Sequence, residues 1–212
     1  MLDLVLPLEC GGCGTPATRW CAVCARQLTV QADQPHLIAP RVDPGVPVFS
    51  LGRYAGSRRE AIVAVKEHGR ADLISPLAVA LRAGLQRLLT WGVIDTPLTI
   101  VPAPTRRSAA RRRGGDPVTR IARVATTGLA GVHVVQALRL RALARDSVGL
   151  SGADRQRNIA GRVKMIRHFT APAGAVLVVD DIVTTGATAT ESVRVLHIEG
   201  AHVAGVLAIA HA

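Results

Sequence analysis

The sequence predicts an α/β fold: a mostly parallel, twisted sheet flanked by helices, with a small four-cysteine module ahead of it. Three observations carry this expectation. Apolar, β-branched runs alternate with segments whose apolar residues recur at three- and four-residue steps, the pattern of strand–helix–strand units. The 212-residue chain is 49% hydrophobic but only 2% aromatic. Its core is therefore built from Val, Leu, Ile and Ala, which suits layered sheets and helices and argues against disorder. Finally, the only cysteines are Cys10, Cys13, Cys21 and Cys24, arranged as two C-x-x-C pairs.

The cysteine module spans residues 1–28. CGGC and CAVC, separated by a short loop, have the spacing of two knuckles closing one tetrahedral four-thiolate zinc site of structural type. Gly14 suits the tight turn that a knuckle makes around its metal. Paired disulfides are one alternative, disfavoured by a reducing cytosol. A redox C-x-x-C is another, but it needs only one pair and a thioredoxin-like context. Residues 29–46, Pro-containing and weakly patterned, read as a linker.

Residues 47–212 form the main domain. VFSLGRY reads as a strand, and REAIVAVKEHG and ISPLAVALRAGLQRLLTWG as helices. LTIVPAP is a short buried strand interrupted by Pro102 and Pro104. DPVTRIARVATTG is a helix with Asp116 at its N-cap and Pro117 at its first helical position. HVVQALRL is extended, and RALARDSVGLSGADRQRNIAG, without a strong period, reads as a long mobile loop. AVLVVDD is the near-continuous apolar run of a central parallel strand covered on both faces. ATATESVRVLHIEG is a helix ended by Gly200, and HVAGVLAIAHA is a closing strand.

The formal charge is +11, and Lys66 and Lys164 are the only lysines, so the excess is arginine. The planar guanidinium fork suits phosphorylated ligands or nucleic acid. An Arg-rich composition imposed by a high-GC genome explains the global charge equally well. No apolar stretch approaches the ~20 residues of a membrane span. The opening MLDLVLPLEC lacks a basic n-region and carries Asp3 and Glu9, so no signal peptide is read and a cytoplasmic location is expected.

The chemistry concentrates in VLVVDDIVTTGATAT, residues 176–190. A buried strand gives way to a helix through Thr184, Thr185, Gly186, Ala187 and Thr188. Backbone N–H groups and the positive dipole end at such a helix start make an anion site. Asp180 and Asp181 cannot bind a bare phosphate a few ångströms away, because like charges repel. A sugar phosphate resolves the conflict, with phosphate in the loop, ribose hydroxyls on the acids and Mg²⁺ nearby. A P-loop is the nearest rival, but the chain has no GxxxxGK[ST].

This segment resembles the phosphoribosyl-pyrophosphate (PRPP) motif of type I phosphoribosyltransferases. The resemblance implies ribose contacts at Asp180 and Asp181, which makes them the catalytic pair, and 5′-phosphate binding across Thr184, Thr185, Gly186, Ala187 and Thr188. It also asks for a pyrophosphate loop, for which Thr105, Arg106, Arg107 and Ser108 stand in the right place; an ordinary solvated basic turn fits them as well. A flexible loop over the substrate falls on residues 139–158, with Arg145, Ser151, Arg155, Arg157 and Asn158. The double C-x-x-C, YxGxxRExIxxxK, VPAPxRR, GLSxxxRxRN and the PRPP motif together resemble the ComF-type family, phosphoribosyltransferase-like proteins associated with competence and DNA uptake. Two stretches depart from that pattern: Arg113-Gly114-Gly115-Asp116-Pro117 where the family carries R-G-F-N-Q, and Asp146-Ser147-Val148 where it carries glutamine. Lys66 matches the family pattern but reads equally as a helix-surface lysine.

The function this implies is transfer of a phosphoribosyl group from PRPP to a nitrogen base, with Mg²⁺ and release of pyrophosphate. The alternative is a non-catalytic protein that senses PRPP or a nucleotide while handling DNA. Single-stranded DNA, a helicase-like competence protein and a second copy of the chain are the further candidate partners. Arg106, Arg107, Arg111, Arg112 and Arg113 suit a nucleic-acid backbone, but they suit a solvated helix face better, and aromatic residues for base stacking are lacking.

Overall fold

The computed structural model describes residues 8–105, 115–140, 161–166 and 169–212. Within them, α1 (Ala22–Leu28) belongs to the cysteine module. Then follow β1 (His36–Ile38), β2 (Val48–Ser50), α2 (Gly56–Glu67), one 3-10 turn (Ala71–Leu73) and α3 (Ile74–Thr90). The remainder is β3 (Leu98–Pro102), α4 (Pro117–Thr126), β4 (Val132–Val134), β5 (Leu138–Leu140), β6 (Val163–Met165), β7 (Ala175–Val183), α5 (Ala187–Ile198) and β8 (Val203–His211).

Six strands form one sheet in the order β1-β2-β8-β7-β3-β4. Its neighbours run parallel except at one edge, where β1 is antiparallel to β2. Strands β5 and β6 make a separate antiparallel pair that sets Arg139 opposite Lys164. The chain is thus a mixed α/β protein with a mostly parallel sheet, as its alternating pattern predicts. Among the described residues no helix is long and apolar enough to cross a membrane.

Burial on both faces explains why β7 is so apolar. Leu177 and Val179 join a core completed by Ile62 of α2, Leu81 and Leu85 of α3 and Ile121 of α4. Val176 and Val178 join the opposite core with Val193 and Leu196 of α5 and Val163 of β6. Neighbouring strands therefore send their helices to opposite sides: α4 follows β3 onto one face, and α5 follows β7 onto the other. Such a divergence opens a crevice at the carboxyl ends of the two strands, the place where open α/β sheets bind ligands. At its rim, Asp116 caps α4 by accepting from the Thr119 N–H at 3.2 Å, with Pro117 in the first turn.

Two segments differ from expectation. Residues 29–46, expected as a linker, contain β1, which pairs Leu37 with Phe49 and covers the β2 edge. HVVQALRL is not one extended element but two strands in different sheets, and β6 and α1 have no counterpart in the sequence reading. Three-residue strands and a two-turn helix are too short for a hydrophobic period to register. The cysteine module packs onto the main domain: Leu28 is buried beside α2 and α3. The Arg70 guanidinium, held by Asp72, also donates to the Glu9 carbonyl at 3.1 Å.

Candidate functional site

The four cysteines form one compact cluster of sulfurs. The Cys10 and Cys24 sulfurs lie 3.7 Å apart, those of Cys13 and Cys21 3.6 Å, and all four sulfurs lie within 4.8 Å of one another. Four thiolates around zinc at ~2.3 Å place their sulfurs about 3.8 Å apart, so the cage fits that ion. None of the four cysteines is in a disulfide. The turn after the first pair bends at Gly14, φ +75°, a conformation that favours glycine.

Outer contacts hold the sulfurs in place. The Cys21 N–H donates to Cys10 Sγ at 3.3 Å, and the Ser57 hydroxyl donates to Cys24 Sγ at 3.0 Å. Burial pushes the Cys24 thiol up to about 12, whereas at Cys10 burial is outweighed by N–H donors from Cys21, Cys13 and Gly12, which bring it down to about 6. The four cysteines can hold a metal ion such as zinc.

The second constellation stands at the carboxyl end of β7. The strand runs past both acids to Val183, so Asp180 and Asp181 lie within it rather than in the loop. Helix α5 then starts at Ala187 after Gly186, whose φ of +87° turns the chain. A Cβ on Gly186 would stand 2.4 Å from the Val42 carbonyl oxygen and 2.7 Å from Pro40 Cβ, so both backbone shape and space require glycine. The Val42 N–H donates to the Thr185 carbonyl at 2.8 Å, and the Thr190 hydroxyl donates back to the Val42 carbonyl at 3.2 Å. Ala187, Thr188 and Ala189 open the helix, where N–H groups have no intrahelical acceptor. Asp180 and Thr184, Thr185, Gly186, Ala187 and Thr188 line one cavity of about 50 Å³. The structure therefore brings the predicted loop and the first acid together.

Asp181 turns the other way. It is 5% exposed, and its Oδ2 lies 2.7 Å from Lys66 Nζ on the last turn of α2. Burial opposes the Lys66 charge, but attraction and a hydrogen bond from Asp181, with smaller pulls from Asp180 and Tyr54, raise the ammonium above its ordinary value. At Asp180, burial and then the Asp181 charge push the carboxyl well above the usual carboxylate range, although Lys66 works against this. The Asp181 N–H donates to Asp180 Oδ1 at 2.8 Å.

Across the crevice, the end of β3 contributes a cavity of about 230 Å³ lined by Pro104, Thr105, Asp116, Gln136 and Arg139 among others. The Thr105 hydroxyl donates to Asp116 Oδ1 at 3.0 Å. Arg106, Arg107, Arg111, Arg112 and Arg113, with Arg145, Ser151, Arg155, Arg157 and Asn158, lie outside the described residues. Two contributors gave no sign in the sequence, and a third, Lys66, was marked there but read equally as a helix-surface lysine. Ser57 and Val42 gave no signal, being a lone hydroxyl and a backbone donor. Lys66 gave a faint one, as one of two lysines in an arginine-rich chain. No protein-family model matches the sequence, and no curated protein matches it.

Proposed function

We propose that this is a phosphoribosyltransferase-like protein that binds the ribose 5-phosphate part of PRPP with Mg²⁺ at the carboxyl end of β7. It transfers the phosphoribosyl group to a nitrogen base. The observation that carries the reading is the single cavity shared by Asp180 and the Thr184–Thr188 loop, at the edge of the crevice between β3 and β7. N–H groups and hydroxyls there suit a phosphate, and an acid in the same cavity suits ribose hydroxyls rather than a second anion. The cavity at the end of β3 has room for the rest of the ligand.

In the reaction the bond from ribose C1 to the pyrophosphate oxygen breaks, and a bond from C1 to the base nitrogen forms. The nitrogen's proton goes to solvent, and pyrophosphate leaves with the electron pair of the broken bond. The loop holds the 5′-phosphate, the acid end of β7 orients the ribose, and the β3 end receives the leaving group. This is catalysis by positioning and electrostatics, without a side-chain nucleophile. Mg²⁺, when bound among ligand oxygens and Asp180, supplies charge neutralisation for the pyrophosphate. The four-cysteine cage holds a structural zinc. Calorimetry with PRPP and MgCl₂ tests the reading: wild type binds and Asp180→Asn binds at least a hundredfold more weakly. A screen of nucleobases for pyrophosphate release then identifies the acceptor. Equal affinity in the two proteins would overturn the reading.

A further inference from the structure

We infer that the two adjacent acids have different jobs, and that Lys66 separates them: its ion pair with Asp181 anchors the tip of β7 to α2, leaving Asp180 as the acid that meets the ligand. The inference rests on the ribose-phosphate reading and assigns a positioning residue to it.

The geometry argues as follows. Up to Val179 the strand pleat sends Val176 and Val178 towards α5, and Leu177 and Val179 towards α2, α3 and α4. Adjacent acids on such a strand part company. Asp180 lines the loop cavity, whereas Asp181 is 5% exposed and meets Lys66 at 2.7 Å. A carboxylate this buried persists as an ion only when paired. Lys66 itself is fixed from behind, because Ala61, Ile62 and Val65 seat α2 in the core. At the other end of α2, the Ser57 hydroxyl lies 3.0 Å from Cys24 Sγ and 2.6 Å from Gln27 Oε1, the two acceptors sharing its one proton. The helix is pinned at both ends, so the ammonium has a fixed place. Asp181 then passes the restraint on through its N–H, which donates to Asp180 Oδ1 at 2.8 Å.

Among the described residues, the charged group facing both acids is Lys66 from α2, and Tyr54, from the segment before it, acts on Lys66. Removing Lys66 removes the cation that pairs with Asp181 and pulls on Asp180, so the pH at which Asp180 ionises moves upward.

The test is a double-mutant cycle with two readouts, thermal melting and calorimetric binding of PRPP with MgCl₂ between pH 5.5 and 8.5. Lys66→Met is expected to weaken binding about tenfold and to shift the binding pH profile upward, with Lys66→Arg restoring most of the affinity. In an Asp181→Asn background, Lys66→Met should add little to either readout, because the two residues act as one unit. Should Lys66→Met fail to fold, Lys66→Gln with Asp181→Asn keeps a neutral hydrogen-bonded pair and serves in its place. The inference is overturned if Asp181→Asn abolishes binding as fully as Asp180→Asn while Lys66→Met changes neither affinity nor pH profile. Wild-type protein that binds no PRPP overturns the ribose-phosphate reading instead. The melting cycle still reports the Lys66–Asp181 coupling in that case, so the two failures are told apart.

Discussion

The thiolate cage takes all four of its donors from Cys10–Cys24, and their sulfurs already stand at metal-binding separations. The tip of β7 is assembled from Val42, Lys66, Asp180 and Thr185, brought together from across the chain. The cage is self-contained, since its four thiols could supply all four donors of a tetrahedral ion. The β7 tip is open, with helix-start N–H groups and the partly exposed Asp180 carboxyl lining a cavity. A self-contained local site is built to retain its ligand, whereas an open composite site is built to exchange one and is poised by contacts far from it in sequence.

The largest test of this contrast is Cys24→Ser. It removes the most buried ligand and is expected to abolish stoichiometric zinc retention during chelator dialysis. Free energies of about 10 kcal/mol or more are typical of such centres. Next is Gly186→Val, which forces a branched side chain into φ +87° against the Val42 carbonyl. A loss of about 2–3 kcal/mol in urea unfolding is expected, together with loss of PRPP affinity and no change in zinc content. A change in zinc content would show that the two sites are not independent.

Ser57→Ala tests the one contact they share through α2. It should weaken zinc about tenfold in a competition assay, the usual scale for a group that orients a ligand. The smallest effect on stability belongs to Asp180→Asn, whose large effect is on ligand binding. Folding raises the Asp180 carboxyl, so as pH rises the unfolded chain releases that proton first. Its contribution to stability is full below the ordinary carboxylate range and is lost as pH climbs towards the raised value. Asp180→Asn should therefore raise stability at neutral pH and flatten that part of the melting-temperature profile.

How much of this was legible in the sequence follows the same division. The cage, the α4 cap at Asp116 and the apolar run of β7 are local patterns, and each can be read from a few consecutive residues. The strand-to-helix turn Thr184–Thr188 was legible for the same reason. The separate orientations of Asp180 and Asp181 were not, because a DD pair reads as two equal acids until the strand is known to continue to Val183. Lys66 was ambiguous because helix periodicity places it at an edge of the apolar face. Only the fold shows that Asp181 waits there. Strand β1 was hidden by its length and by the prolines around it.

That strand and the turn after it have a practical consequence. Anyone trimming the chain to its catalytic-looking part at residue 47 would discard His36–Ile38, exposing the β2 edge to edge-to-edge pairing with other molecules. The same cut would remove Val42, whose N–H binds the Thr185 carbonyl, and leave the Thr190 hydroxyl with the Gly186 carbonyl alone. The smallest fragment able to hold the loop in shape starts upstream of His36, and the tether between two modules is a structural member of one of them.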